Sequence, residues 1–205
     1  MVTPFMSSIW ELFWGVKCYD RGDAMALPGY LTQLKSMSNV KGRVGEIVCG
    51  MELESLTKLI PCRFFGNVSA LTRSGTHETQ IDFVLLSLKG LFAIEVKNWY
   101  CEKLFVGNEA DLWWQADYYG KRTFVKNPII QNKWHTSRLS KLTGLNFESL
   151  ILFSNSTTFV DNNIGNVMYI SNLAGYITSL PDKLTEKEMI EASHKVYELK
   201  MEGKC

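Results

Sequence analysis

Two carboxylates and a lysine stand out in an otherwise apolar stretch. Asp82 lies in QIDFVLLSL (80–88), and Glu95 and Lys97 lie in LFAIEVKNW (91–99). Lys89-Gly90 joins the two segments, a short junction that reads as a hairpin turn. Both segments have the near-continuous apolar character of central strands buried on both faces. Side chains alternate along a strand, so Asp82 shares a face with Val84 and Leu86, and Glu95 shares one with Lys97. A tight hairpin then brings Asp82 near Glu95. Burying a carboxylate without compensation is costly, and burying two together costs more. One compensation is a divalent cation held by both carboxylates. The other is an ion pair between Glu95 and Lys97, with Asp82 at a solvated edge. Two residues along a strand span about 7 Å, which leaves room for a cation and its water between Glu95 and Lys97.

That chemistry suits phosphodiester hydrolysis. A Mg²⁺ held by carboxylates neutralises phosphate charge and lowers the pKa of its water. A neighbouring ammonium stabilises the developing charge or steers the nucleophile.

Two predicted helices flank these strands. From Val44, the apolar residues Ile47, Val48, Met51, Leu56, Leu59 and Ile60 follow a helical period until Pro61. Glu46 lies early in this helix, after Gly45. Asn127-Pro128 opens the second helix, which runs from about Ile129 to Leu142 and stops at Gly144. Its Gln131, His135 and Arg138 fall on one face at i, i+4 and i+7 and suggest a phosphate-facing strip. The opposite face, with Ile130, Trp134 and Leu142, is expected to pack on the sheet. A solvated Glu46 and a surface His135 are the plainer readings.

Charge is locally uneven. The chain has 205 residues and a formal net charge of +1, which excludes a polycation. Yet the 30 residues from Tyr118 to Phe147 hold six basic side chains and no acid. Lys121, Arg122, Lys126, Lys133 and Arg138 therefore form a candidate nucleic-acid surface whose affinity would depend on salt. The alternative is a solvated basic face. Aromatic residues lie just before it.

The remaining elements complete an α/β pattern. CRFFGNVSAL (62–71) reads as a first strand, and 100–126 as short twisted strands. FESLILFSN (147–155) and VMYIS (167–171) read as further strands. A short helix is expected near Leu173–Leu180. Thr185 caps a last helix through about Met201, with Glu188 as its capping-box partner. Residues 1–40 read as a leader, with a short amphipathic helix at Ser7–Lys17 that covers the flank of the domain. The N-terminus lacks a basic n-region, and Glu11 interrupts its apolar stretch. No stretch reads as a membrane span. The five scattered cysteines read as reduced thiols of a cytosolic protein.

Gly45-Glu46, Gln80-Ile81-Asp82, GLFAIEVKNW at 90–99 and NP-x-x-Q-x-x-x-H at Asn127–His135 occur in that order. Together they resemble the nuclease-related domain (NERD) family of the PD-(D/E)xK nuclease superfamily, over about Val44–Val160. Ile81 stands where the superfamily name has Pro. The resemblance implies a restriction-endonuclease-like α/β core: a central mixed sheet of about four core strands, short additional strands and flanking helices. It implies that Asp82 and Glu95 hold Mg²⁺ (or Mn²⁺), that Glu46 completes the metal shell and that Lys97 orients or activates the attacking water. Gln80, Gln131 and His135 match supporting positions. The expected activity is divalent-metal-dependent phosphodiester hydrolysis, with DNA preferred over RNA as substrate and the cytoplasm as location. The alternative is a non-catalytic nucleic-acid-binding or protein-interaction module on the same fold. A homo-oligomer or a protein partner stays open. The expected organisation is a leader at 1–40, a nuclease core at 41–160 and a C-terminal part at 161–205 that completes the same domain.

Overall fold

The computed structural model describes residues 37–71, 78–99, 101–106, 112–160 and 164–202. Residues 1–36 of the leader, with its Ser7–Lys17 helix and Cys18, and Cys205 lie outside the described residues; the leader's last four residues are helical. The chain divides into two compact units at Val40/Lys41, and the account below concerns the second.

Helix α1 (Met37–Leu56) leads into strands β1 (Cys62–Leu71), β2 (Glu78–Ser87) and β3 (Gly90–Lys97). Then come β4 (Cys101–Phe105), β5 (Leu112–Ala116), β6 (Arg122–Lys126) and α2 (Pro128–Thr143). Strands β7 (Glu148–Phe153), β8 (Thr157–Val160) and β9 (Val167–Tyr169) follow, then a 3₁₀ turn, α3 (Leu173–Ser179) and α4 (Glu186–Glu202).

The main sheet has the order β1-β2-β3-β7-β9. It is mixed: β1, β2 and β3 pair antiparallel, while β3, β7 and β9 run parallel. The hairpin expected at Lys89-Gly90 is present, with Ser87 opposite Gly90. Seven of the eight β3 residues are buried, as a strand covered on both faces requires. One face packs Phe83, Leu85, Phe92, Ile94 and Val96 against Cys49, Leu53 and Leu56 of α1 and Leu173 and Ile177 of α3. The other face carries α2 and α4; Arg63 of β1 reaches Ser193 of α4.

The caps read from sequence are in place. The Asn127 side chain accepts from Ile129 N–H, and Gly144 (φ 70°) donates to the Ser140 carbonyl. Thr185 and Glu188 exchange capping-box bonds at 2.8 and 3.3 Å.

Three expectations are corrected. The short strands of 100–126 do not extend the main sheet. With β8, which the sequence reading missed, they form a second sheet of order β6-β5-β4-β8. Its inner residues Leu104 and Trp113 pack on Ile151, Phe153 and Val167.

The apolar period read from Ile47 to Ile60 is only partly the buried face. Ile47, Val48 and Met51 on α1 and Leu59 beyond it are exposed, while Leu56 of the same period is buried together with Gly45, Cys49 and Leu53. Small residues decide this. A Cβ at Gly45 would lie 2.8 Å from the Asn98 Cβ and 3.4 Å from a Val96 methyl, so α1 meets the end of β3 closer than a side chain permits.

On α2, Trp134 is 75% exposed and Leu142 is exposed, whereas Asn132, His135, Thr136, Leu139 and Thr143 are buried. Polar groups can occupy the packed side because the Asn132 amide and the two threonine hydroxyls find acceptors. Thr136 and Thr143 bond to the carbonyls of Asn132 and Leu139 at 2.7 and 2.8 Å. The Asn132 amide donates to the Ala93 carbonyl (2.9 Å), the Ser149 hydroxyl (2.9 Å) and the Leu150 carbonyl (3.1 Å). One side chain thus ties α2 to both β3 and β7.

Candidate active site

The pairing of β2 with β3 ends at Phe83 and Ile94. Continuing the register would set Asp82 opposite Glu95 and on its face. The strands instead part there. β2 stays paired with β1 through Ile81 and Gln80, while β3 stays paired with β7 as far as Lys97 opposite Phe153. At the split, Asp82 Oδ2 accepts from the Val96 amide at 2.8 Å. A side-chain carboxylate thereby satisfies a backbone donor that the departing strand has left.

Glu95 is buried next to it. Its Oε1 accepts from Lys97 Nζ at 2.5 Å and from Gln131 Nε2 at 2.8 Å. Lys97 Nζ also donates to Gln131 Oε1 at 3.2 Å. Glu95 Oε2 lies 3.3 Å from His135 Nδ1, an ion-pair contact when the imidazole is protonated; the two are not aligned for a hydrogen bond, and neither buried atom makes one elsewhere. The spacing of Glu95 and Lys97 leaves a gap in an extended strand; here the long lysine side chain folds back and closes it. Gln131 and His135 therefore face Glu95 rather than forming a phosphate strip. Arg138 shares their side of α2 but lies about 10 Å beyond Gln131 along the axis.

Electrostatics around the split are unbalanced towards negative charge. Burial and then the Glu95 charge push the Asp82 carboxyl up to about 7, against the pull of the Val96 amide; Glu46 adds to the rise and Lys97 opposes it. Glu46, half-buried on α1, is also raised, by burial and by Glu95, with Arg43 opposing. Burial raises Glu95 too, but His135 and Lys97 together outweigh it and hold that carboxyl below its ordinary value. Gly45 is what lets α1 carry Glu46 to this end of β3.

These groups suit a hard divalent cation in kind. Asp82 and Glu95 offer carboxylate oxygens, one of them buried beside His135 with no aligned hydrogen bond, and mutual repulsion that a cation would relieve. Among the described residues no group of three His, Cys, Asp or Glu side chains is gathered as a ready-made cation site. Mg²⁺ commonly uses one or two carboxylates and retains waters, so the pair suffices chemically.

Gln80 does not reach Glu95; its amide donates to Asn67 Oδ1 at 2.7 Å. Asn67 takes a left-handed conformation (φ 53°) where the register puts it across from Asp82. The sequence reading passed over Asn67, Asn132 and the Val96 amide. Gly66-Asn67 inside a strand was the available signal for the first, since such residues mark a local irregularity. Of the basic residues, Arg122 and Lys126 are on β6, Lys121 precedes it, and Lys133 and Arg138 are on α2. Lys133 is about 200° round the helix from Gln131 and so points away from Glu95.

Comparison with known proteins bears on residues around this split. The model of the nuclease-related domain matches residues 41–154, which include Glu46, Asp82, Glu95, Lys97, Gln131 and His135. An uncharacterized protein of Bacillus anthracis is 29% identical over 121 residues, covering 58% of this chain and 54% of the relative. The chain thus spans about half the length of that curated relative. No solved structure matches.

Proposed function

The chain belongs to the nuclease-related domain family, and from that premise we propose that it is a divalent-metal-dependent nuclease that hydrolyses phosphodiester bonds in DNA. The observation that carries this reading is the buried Glu95 carboxylate, one oxygen held by Lys97 and Gln131 and the other without a hydrogen bond, beside an Asp82 that burial and Glu95 make reluctant to ionise. The mixed sheet with helices on both faces fits the proposed restriction-endonuclease-like core.

Asp82 and Glu95 would hold Mg²⁺ or Mn²⁺, with Glu46 beside them. A bound cation there supplies charge neutralisation for the scissile phosphate and a water of lowered pKa. Gln131 holds Glu95 in one orientation from α2, and His135 closes the buried side of the same carboxylate. The Lys97 ammonium, on the same strand as Glu95, is placed to stabilise charge on a phosphate or to orient a water. Lys121, Arg122, Lys126, Lys133 and Arg138 supply the charge that draws the nucleic-acid backbone. Free thiols at Cys49, Cys62 and Cys101 suit the proposed cytoplasmic location. Among the described residues no helix is long and apolar enough to cross a membrane.

The Lys97–Glu95 ion pair also favours a second reading, a nucleic-acid-binding module that does not cleave. Incubating the protein with plasmid, linear duplex, single-stranded DNA and RNA in Mg²⁺, and again with EDTA, separates the two. Cleavage that EDTA stops supports the nuclease. Binding without cleavage under either Mg²⁺ or Mn²⁺ supports the module.

A further inference from the structure

The outward face of the second sheet supplies Arg122 and Lys126 to the proposed backbone-binding set, and its aromatic residues have no role so far. Phe105, Trp114 and Phe124 lie directly across from one another on β4, β5 and β6. Lys103, Ala116 and Arg122 form the next such row, and Leu112 pairs with Lys126. Strand alternation puts all eight residues on one side, with Trp113 turned inward to the core. This face therefore carries three aromatic rings and three cations, and no carboxylate at any of these positions.

Part of the aromatic set is already assembled. Phe105 stacks on Trp114 with ring centroids 3.4 Å apart and planes within 10°, and the Arg122 guanidinium lies 4.4 Å from the Trp114 ring. The other rings are open. Phe124 is 70% exposed and Tyr119 is 92% exposed. Tyr118 and Tyr119 touch edge to face at the β5–β6 turn, and this turn is pinned. Asp117 Oδ1 accepts from the amides of Tyr119 and Lys121, both at 2.9 Å, and Gly120 (φ 76°) donates to the Asp117 carbonyl. The tyrosines are thus presented to solvent on a fixed loop. Between them and the stack lies a recess of about 330 Å³, within the size range of ligand clefts, whose lining sets Lys103 and Arg122 with Phe105, Trp114 and Tyr118 beside two carboxylates, Glu102 and the turn residue Asp117.

We infer that this face binds single-stranded nucleic acid, with unpaired bases against Phe124, Tyr119 and the end of the Phe105–Trp114–Arg122 stack, and phosphates on Lys103, Arg122 and Lys126. Exposed rings interleaved with cations are what a single strand requires: every base has a face to stack, and every phosphate needs a charge. A duplex hides its base faces inside its own stack. A protein partner fits less well, because interface centres are depleted of charge, whereas here cations stand beside the rings on β4 and β6. The chain also connects this face to the proposed active site. Lys97 pairs with Phe153, and Trp113, the neighbour of Trp114, stacks on Phe153 at 6.3 Å between ring centroids. The inference deepens the nuclease reading by naming the strand state of the substrate, and it rests on that reading only for cleavage.

The test is fluorescence anisotropy with the full chain in EDTA at fixed salt, using short labelled oligo-dT, oligo-U and a duplex of equal length. The expected result is single strands bound about tenfold or more tighter than duplex, and a loss of about tenfold or more in single-strand affinity for the Phe124→Ala/Tyr119→Ala double variant. Arg122→Gln, whose circular dichroism is compared with wild type, should lower single-strand affinity in the same direction. The relative affinity for oligo-dT and oligo-U tells which nucleic acid is preferred. Duplex bound as tightly as single strands, variants that bind single strands like wild type, or no binding of either probe each overturns the inference. A protein that binds through these rings and cleaves nothing in Mg²⁺ or Mn²⁺ defeats the nuclease reading alone. One that cleaves while ignoring the ring variants defeats this inference alone.

Discussion

Asp82 Oδ2 accepts a hydrogen bond from the Val96 amide, 2.8 Å away, at the point where β2 and β3 separate. The bond does two things at once. It satisfies a backbone donor that lost its ladder partner, and it fixes one carboxylate beside the residue that follows Glu95. The cost is electrostatic, since burial and the Glu95 charge both oppose ionisation of Asp82.

That cost predicts a pH dependence. The folded-state Asp82 carboxyl stands at about 7 against an ordinary 3.8. The folded protein therefore binds more protons than the unfolded chain between those values, and stability falls as pH rises through this window. Glu46, also raised, acts in the same direction. Glu95 is lowered from 4.5, so its contribution is full above that value and is lost as pH falls from there through its folded value. Urea unfolding in EDTA from about pH 4 to pH 8 should show the midpoint falling with pH. Asp82→Asn should flatten that fall; an unchanged slope in this variant would refute the assignment.

Lys97→Ala should leave cation binding largely in place and slow cleavage, because the ammonium acts on phosphate or water. A positioned proton-transfer group is typically worth about 10²- to 10⁴-fold, which sets the scale for the loss. Single-turnover rates measure it. A wild-type rate would leave Lys97 as nothing more than the structural partner of Glu95.

Asn132→Leu should destabilise the fold by about 2–4 kcal/mol, since the buried carbonyls of Ala93 and Leu150 and the Ser149 hydroxyl each lose a donor. It should also reduce activity, because Asn132 sets the position of α2 and hence of its neighbour Gln131 on Glu95. Chemical denaturation checks the first effect and kcat the second. Full stability in the variant would mean that α2 is held elsewhere.

Gly45→Ala adds a Cβ that would lie 2.8 Å from the Asn98 Cβ, which cannot swing aside as a side-chain tip would. Overpacking of this kind costs about 1–3 kcal/mol. Thermal unfolding should show the loss. A variant as stable as wild type would show that α1 moves away freely.

Much of the core was legible because its signals are local. The apolar strands, the Lys89-Gly90 hairpin, the Asn127 and Gly144 caps and the Thr185–Glu188 box each depend on neighbouring residues, and each is present. What failed were questions of which side faces in. On α2 the packed side is polar and satisfied by hydrogen bonds across β3 and β7, so Trp134 was wrongly given to the sheet. On α1 the contact is made by Gly45 and Cys49, so Ile47, Val48 and Met51 misled. Gln131 and His135 at i and i+4 were legible as one face of α2, but that spacing pointed to a phosphate rather than to Glu95. The Asp82–Val96 bond was not, because it arises from two strands parting, which no period in either strand records.

The central claim is that Asp82 and Glu95 hold a divalent cation. Titration of Mn²⁺ into the wild-type protein and into an Asp82→Ala/Glu95→Ala variant, followed by loss of the free-ion electron paramagnetic resonance signal, tests it most directly. The account predicts Mn²⁺ uptake by the wild type, displaced by excess Mg²⁺, and none at this site in a folded double variant. Equal uptake by both proteins, or no uptake by the wild type, would contradict it.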